Sequence, residues 1–257
     1  MATLIDTHTH INYLEKITIE ESIKNAKENG LEKILIPGAS PEDIDIIPEL
    51  VQKYDLTCGM LGIHPEDAPK WDDVILDKIR KYVKLYPEKI VAIGEIGLDY
   101  YWDKKHMDLQ KDVFIKQIKL ANELNLPISV HDRDAHKDTF DILKEYNRSS
   151  KVVLHCFSGS VEFARECIKQ GWYITVGGVV TFNSAYKLKE VAKNISLEYL
   201  LLETDAPYLT PVPYRGKENQ PAYIKYVAEE IARLRDIPFE EIAEITTHNA
   251  KIIFNLK

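Results

Sequence analysis

Eight apolar runs of strand length alternate with amphipathic stretches of helix length along the chain. No other feature constrains its fold as strongly. The runs fall at 3–8, 33–37, 57–63, 90–94, 127–131, 152–155, 173–176 and 199–203. Helix-period segments separate them at 19–29, 41–53, 73–86, 106–124, 137–146, 161–170 and 184–194, and further helices are expected at 220–235, 238–246 and 249–254. Gly30 suits the end of the first helix, and Ser40 followed by Pro41 suits the start of the second. Continuous apolar strands joined by helices imply parallel pairing through right-handed crossovers. Eight such units predict a single α/β domain over residues 1–257, a (β/α)8 TIM-type barrel with its site at the C-terminal strand ends. An open doubly wound sheet is the alternative, but no GxGxxG follows the first run.

Composition narrows the function classes. Of 257 residues, 45% are hydrophobic and 29% charged, an ordinary globular balance. The formal charge of −8 argues against a broad basic surface for nucleic acid, though not against a local cationic cleft or bound metal. Cys58, Cys156 and Cys167 form no CxxC pair and no disulfide framework. No apolar stretch reaches the roughly 18 residues of a membrane span. A soluble cytoplasmic protein with no membrane association and no obligate protein partner is expected.

Chemistry accumulates where the apolar runs end. His8 and His10 sit two residues apart, so an extended backbone points both imidazoles the same way. His64 follows the third run, Glu95 the fourth, His131 and His155 end the fifth and sixth, and Asp205 follows the eighth. Four imidazoles and two carboxylates suit two divalent cations with one carboxylate bridging, an arrangement that drives hydrolysis at phosphorus or carbonyl carbon. No GxSxG elbow competes for nucleophilic catalysis, and no phosphate-cradling GxxxxGK[ST] occurs. Cys156 adjoins His155, but adjacent strand residues face opposite ways.

The motifs IDTHTH, GIHP, GEIGLDYY, LPISVHDRDA, LHCFSGS, LLETDAPYLTPVPYRGKENQPAY and HNAKIIFN run nearly end to end. In this combination the chain resembles the TatD family of metal-dependent hydrolases, within the amidohydrolase-like barrels. The resemblance implies that His8, His10, Glu95 and Asp205 bind one metal ion (Mg, Mn or Zn). His131 and His155 would bind a second, with Glu95 shared. It further implies that Asp205 orients and deprotonates the attacking water, and that His64 lies near the metals without ligating them. The implied substrate is DNA, as a single strand or 3′ end. An ester or amide hydrolase, such as a D-aminoacyl-tRNA deacylase, and a non-catalytic metal-binding barrel are the alternatives. Two positions depart from the family pattern. Glu66 stands where a second histidine often follows GIHP, and Asp132, read as a solvated side chain, stands where a small or sulfur residue is usual.

Several residues carry two readings. Arg133 is expected either to contact a substrate phosphate or to pair with Asp132 and Asp134. Arg215, beside Lys217 in the proline-rich loop after Asp205, suits a phosphate. Asp99, Tyr100, Tyr101 and Trp102 form an aromatic loop able to stack on bases or to pack over the barrel mouth. Ser158-Gly159 offers either amides for an anion or a helix cap. Tyr13, Trp71 and Tyr173 are assigned to packing.

Overall fold

A computed structural model describes residues 3–257. Among the described residues there are eight strands: β1 Leu4–Asp6, β2 Leu31–Pro37, β3 Thr57–Met60, β4 Ile90–Asp99, β5 Ile128–Arg133, β6 Val152–Leu154, β7 Tyr173–Val176 and β8 Leu200–Leu202. The described residues also form nine α-helices, seven between successive strands and two after β8: α1 Ile19–Glu28, α2 Asp43–Lys53, α3 Val74–Leu85, α4 Met107–Leu124, α5 His136–Tyr146, α6 Val161–Lys169, α7 Tyr186–Asn194, α8 Ile224–Arg235 and α9 Phe239–Phe254. Sheet order follows chain order, and the strand pairs are parallel. This is the (β/α)8 barrel fold that the alternation predicts. Among the described residues no helix is long and apolar enough to cross a membrane.

The chain divides into two compact units. One runs to Ile36 and resumes at Cys156–Asn255 with Lys257; the other is Pro37–His155 with Leu256. In the first, Leu4, Ile5, Ile34, Leu200, Leu201 and Leu202 are buried with Val227, Ile231 and Ile253 of the helices. In the second, Ile93, Ile96, Leu98, Ile128 and Val130 are buried with Phe114 and Ile118 of α4.

Local chemistry explains the element ends. A capping box starts α1: the Thr18 side chain accepts from the Glu21 amide, and Glu21 reaches back to the Thr18 amide. The start of α2 lies beyond the expected residue 41, because the Asp43 carboxylate turns back to accept the Ala39 and Ser40 amides. Ser160, not Ser158, caps α6 by accepting the Phe163 amide. α4 ends on Asn125 in the left-handed region.

Besides β3 ending at Met60 and α8 starting at Ile224 rather than at 63 and 220, two elements depart further from expectation. β4 continues past residue 94 to Asp99, because Ile96 and Leu98 extend its buried face. Gly97 makes this possible. A Cβ there would lie 2.0 Å from the His131 carbonyl oxygen, so only glycine lets β4 run that close to β5. The two helices expected at 238–246 and 249–254 are one helix, α9. Its apparent break, Thr246-Thr247-His248-Asn249, carries polar side chains with partners outside or back along the helix. Thr246 Oγ1 donates to the Ile242 carbonyl, Thr247 Oγ1 to that of Thr3, and Asn249 Nδ2 to those of Leu197 and Leu200.

Candidate metal centre

In the first unit the sequence brings His8, His10 and Asp205 together. β1 ends at Asp6, and the residues that follow run beside the loop after β8. The Asp205 amide donates to the His8 carbonyl at 2.9 Å, and the His10 amide to that of Ala206 at 2.7 Å. These bonds fix the side chains that follow. The Nε2 atoms of His8 and His10 stand 3.3 Å apart, and His10 Nε2 lies 3.6 Å from Asp205 Oδ1. Tyr13 stacks its ring on that of His10 at 5.7 Å, so the packing assigned to Tyr13 is against a candidate ligand.

Asp6 holds this arrangement together, a role the sequence reading missed. It is fully buried and accepts from the His8 amide, the Thr204 amide and Thr204 Oγ1. One carboxylate thus ties the segment carrying both histidines to the segment carrying Asp205. The polar alternation Asp6, His8, His10 was the available signal. Glu203 is likewise buried and accepts the Cys156 amide at 2.7 Å.

In the second unit three imidazoles converge on one oxygen. Glu95 Oε1 lies 2.7 Å from His155 Nε2, 2.9 Å from His131 Nδ1 and 3.5 Å from His64 Nε2. His131 Nδ1 and His155 Nε2 are 3.4 Å apart. β4 supplies Glu95, β5 supplies His131, and His155 follows β6 with its amide on the Val130 carbonyl.

The donor spacing fits a metal. Two nitrogens about 2.0–2.1 Å from one tetrahedral ion stand roughly 3.3–3.4 Å apart. The two facing imidazole pairs match this at 3.3 and 3.4 Å. A single cation between each pair would engage both nitrogens at once.

Asp99 is the second residue the sequence reading undervalued. It is fully buried on β4, four residues beyond Glu95 and on the same face. Its Oδ2 accepts from His131 Nε2 at 2.9 Å, which leaves Nδ1 turned toward Glu95 and His155. Its Oδ1 accepts the Tyr101 and Trp102 amides. Burial opposes ionisation of Asp99, but His131 and the loop amides outweigh it and hold the carboxyl below its usual range. For His131 burial works downward, yet the bonds to Asp99 and Glu95 raise it to about 9.

His64 behaves differently. Its Nδ1 accepts the Glu66 amide at 3.2 Å, so the proton sits on Nε2, facing Glu95. Desolvation, with His131 nearby, lowers its pKa to about 3, so it is a neutral donor. Glu66, at the departure from the family pattern, contributes this capping amide and leaves its side chain exposed.

The arginines lie among rings. The Arg133 guanidinium sits 4.3 Å over Tyr101 and 5.6 Å from Trp102. It forms no pair with Asp132, whose carboxylate meets His136 Nδ1 at 2.7 Å. The solvated reading of Asp132 is therefore replaced by a half-buried, engaged acid. Arg215 stacks over Phe182 at 3.8 Å and, with Tyr13, Lys16, Tyr208 and Lys217, lines a cavity of about 470 Å³.

Known proteins share this pattern along the whole chain. The family model described as TatD related DNase matches residues 5–255. A Bacillus subtilis protein named uncharacterized metal-dependent hydrolase YabD is 48% identical over 98% of this chain and 99% of its own length. The Escherichia coli hydrolase YcfH, also named uncharacterized and metal-dependent, is 36% identical over 98% of this chain and 96% of its own. The crystal structure of YJJV, a TatD homologue from E. coli, superposes with a TM-score of 0.92 at 32% identity, covering 100% of this chain and 99% of that one. A dihydroorotase at 18% identity and TM-score 0.67, covering 100% of this chain and 72% of its own, shares the fold. With the match running from the first strand to the last helix, and every motif residue of the donor set present, the chain belongs to the TatD-related DNase family.

Proposed function

We propose that the chain is a divalent-metal-dependent hydrolase cleaving DNA phosphodiester bonds, as a deoxyribonuclease trimming nucleotides from 3′ ends. The observation that carries the hydrolase reading is the pair of imidazole couples at metal-ligand spacing, each with a carboxylate beside it. The family description and the names of the relatives support metal-dependent hydrolysis; support for DNA comes from the family description alone. Three cysteines that form no disulfide among the described residues favour a reducing, cytoplasmic setting.

In this reading His8, His10, Glu95 and Asp205 would hold one ion, and His131 and His155 a second, with Glu95 common to both sets. Ions of Mg, Mn or Zn bound there would supply Lewis acidity and acidify water. Asp205 orients the attacking water and accepts its proton. His64, protonated on Nε2, donates toward the substrate. Asp99 keeps His131 in the tautomer that frees Nδ1. Arg133 and Arg215 offer cations for backbone phosphates.

The test uses 5′-labelled single-stranded DNA and metal-stripped protein resupplied with Mg²⁺, Mn²⁺ or Zn²⁺. A ladder shortening from the 3′ end is expected, lost by a factor of about 100 or more in Asp205→Asn. No cleavage despite confirmed metal uptake would overturn the nuclease reading and direct the assay to aminoacyl esters.

A further inference from the structure

The loop after β4 departs from an ordinary rim loop in its exposure. Tyr101 is 52% exposed and Trp102 64%, so both residues present large surfaces to solvent. They meet edge to face at 4.9 Å. The Arg133 guanidinium lies over the Tyr101 face. Exposed Lys104 and Lys105 follow directly, and Asp103, the acid between ring and lysines, is taken up by His106. An aromatic and cationic patch thus stands on a chain of net charge −8.

The patch is rigidly mounted. Asp99 Oδ1 accepts the amides of both Tyr101 and Trp102 at 2.9 and 2.7 Å, and the Tyr100 amide donates to the Arg133 carbonyl. Buried Gln110 on α4 clamps the base of the loop, accepting the Asp99 amide and donating to the Asp99 and Asp103 carbonyls. The same Asp99 holds His131. Two large rings fixed in water cost free energy that a ligand with a flat apolar face recovers.

We propose that Tyr101, Trp102 and Arg133 form a stacking platform for an unpaired nucleobase of the polynucleotide substrate, with Arg133, Lys104 and Lys105 facing its phosphates. The platform rests on the phosphodiesterase reading above and deepens it. Every base has a π-face, so the platform selects unpaired strands without selecting sequence. Asp99 joins platform and metal ligand, so a stacked base is held in register with His131.

The test measures affinity of metal-loaded protein for two labelled oligonucleotides whose 3′ linkages are phosphorothioates, which slow turnover. One is ordinary single-stranded DNA; the other has abasic residues at its 3′ end. Trp102→Ala should weaken ordinary DNA about tenfold. It should leave the abasic strand, already weakened by a similar factor, within about twofold, and Trp102→Phe should restore most of the loss. Equal losses on both strands, or none on either, would overturn the platform while leaving the nuclease reading intact. Failure of the parent protein to bind or cleave any DNA with metal bound would overturn both. An exposed Trp102 that binds a protein instead would show no dependence on the bases.

Discussion

At the residue scale, candidate ligands are held by acids that are not themselves among them. Asp99 bonds His131 Nε2 and so sets which nitrogen is free. Asp99→Asn keeps the shape but loses the charge that favours this tautomer. We expect metal affinity to fall by about 10–100-fold, read as metal retained after dialysis against graded chelator, with helix content unchanged. Unaltered retention would remove Asp99 from the site. Asp6 does the corresponding work for His8 and Asp205, through three hydrogen bonds rather than contact with a donor atom. Asp6 lies within IDTHTH and Asp99 within GEIGLDYY, but neither motif says what its acid holds, because Thr204 and His131 lie far along the chain.

At the element scale, α4 fastens two rim segments with two buried glutamines. Gln117 accepts the Ile63 amide at 2.8 Å and donates to the Ile63 carbonyl at 3.1 Å, next to His64. Gln110 does the same for Asp99. Gln117→Leu leaves a buried N–H and C=O without partners, so a loss of about 2–4 kcal/mol in unfolding free energy is expected, measured by urea denaturation. A loss under about 0.5 kcal/mol would mean that water replaces the amide. β5 and α5 meet through Asp132 and His136, whose hydrogen bond raises the histidine above its ordinary 6.5. A raised folded pKa contributes stability that is fully present below the unfolded value and is lost as pH rises through the folded one. The His136 ring resonances should therefore titrate above pH 6.5, and at or below it in Asp132→Asn. Amphipathic periodicity located these helices to within a few residues, but periodicity is blind to the amides on their buried faces.

At the scale of the whole molecule, the negative charge leaves the phosphates of the proposed substrate to be held by few groups. Arg133, Arg215 and the neighbouring lysines are local exceptions on a chain of −8. Removing divalent metal with chelator should therefore abolish most DNA binding; tight binding in chelator would contradict the proposed function. Metal that binds only the folded chain also stabilises it, by about 2.7 kcal/mol at a hundredfold excess over Kd. The melting temperature should rise on adding Zn²⁺ or Mn²⁺ to stripped protein, and an unchanged value would place the metal away from the folded donors.

The amino-acid sequence by itself determined the fold class, because eight apolar runs at crossover spacing leave few parallel topologies, and each run's end marks a rim position. It also named the imidazoles and carboxylates able to ligate, since ligand chemistry is a property of residue type. Only the tertiary structure decided which nitrogens face each other, that β4 runs on to Asp99, that α9 is unbroken, and that Asp132 meets His136 rather than Arg133. Those outcomes depend on side-chain direction and burial between segments distant in sequence, where hydrogen bonds compete with water and local pattern carries no information.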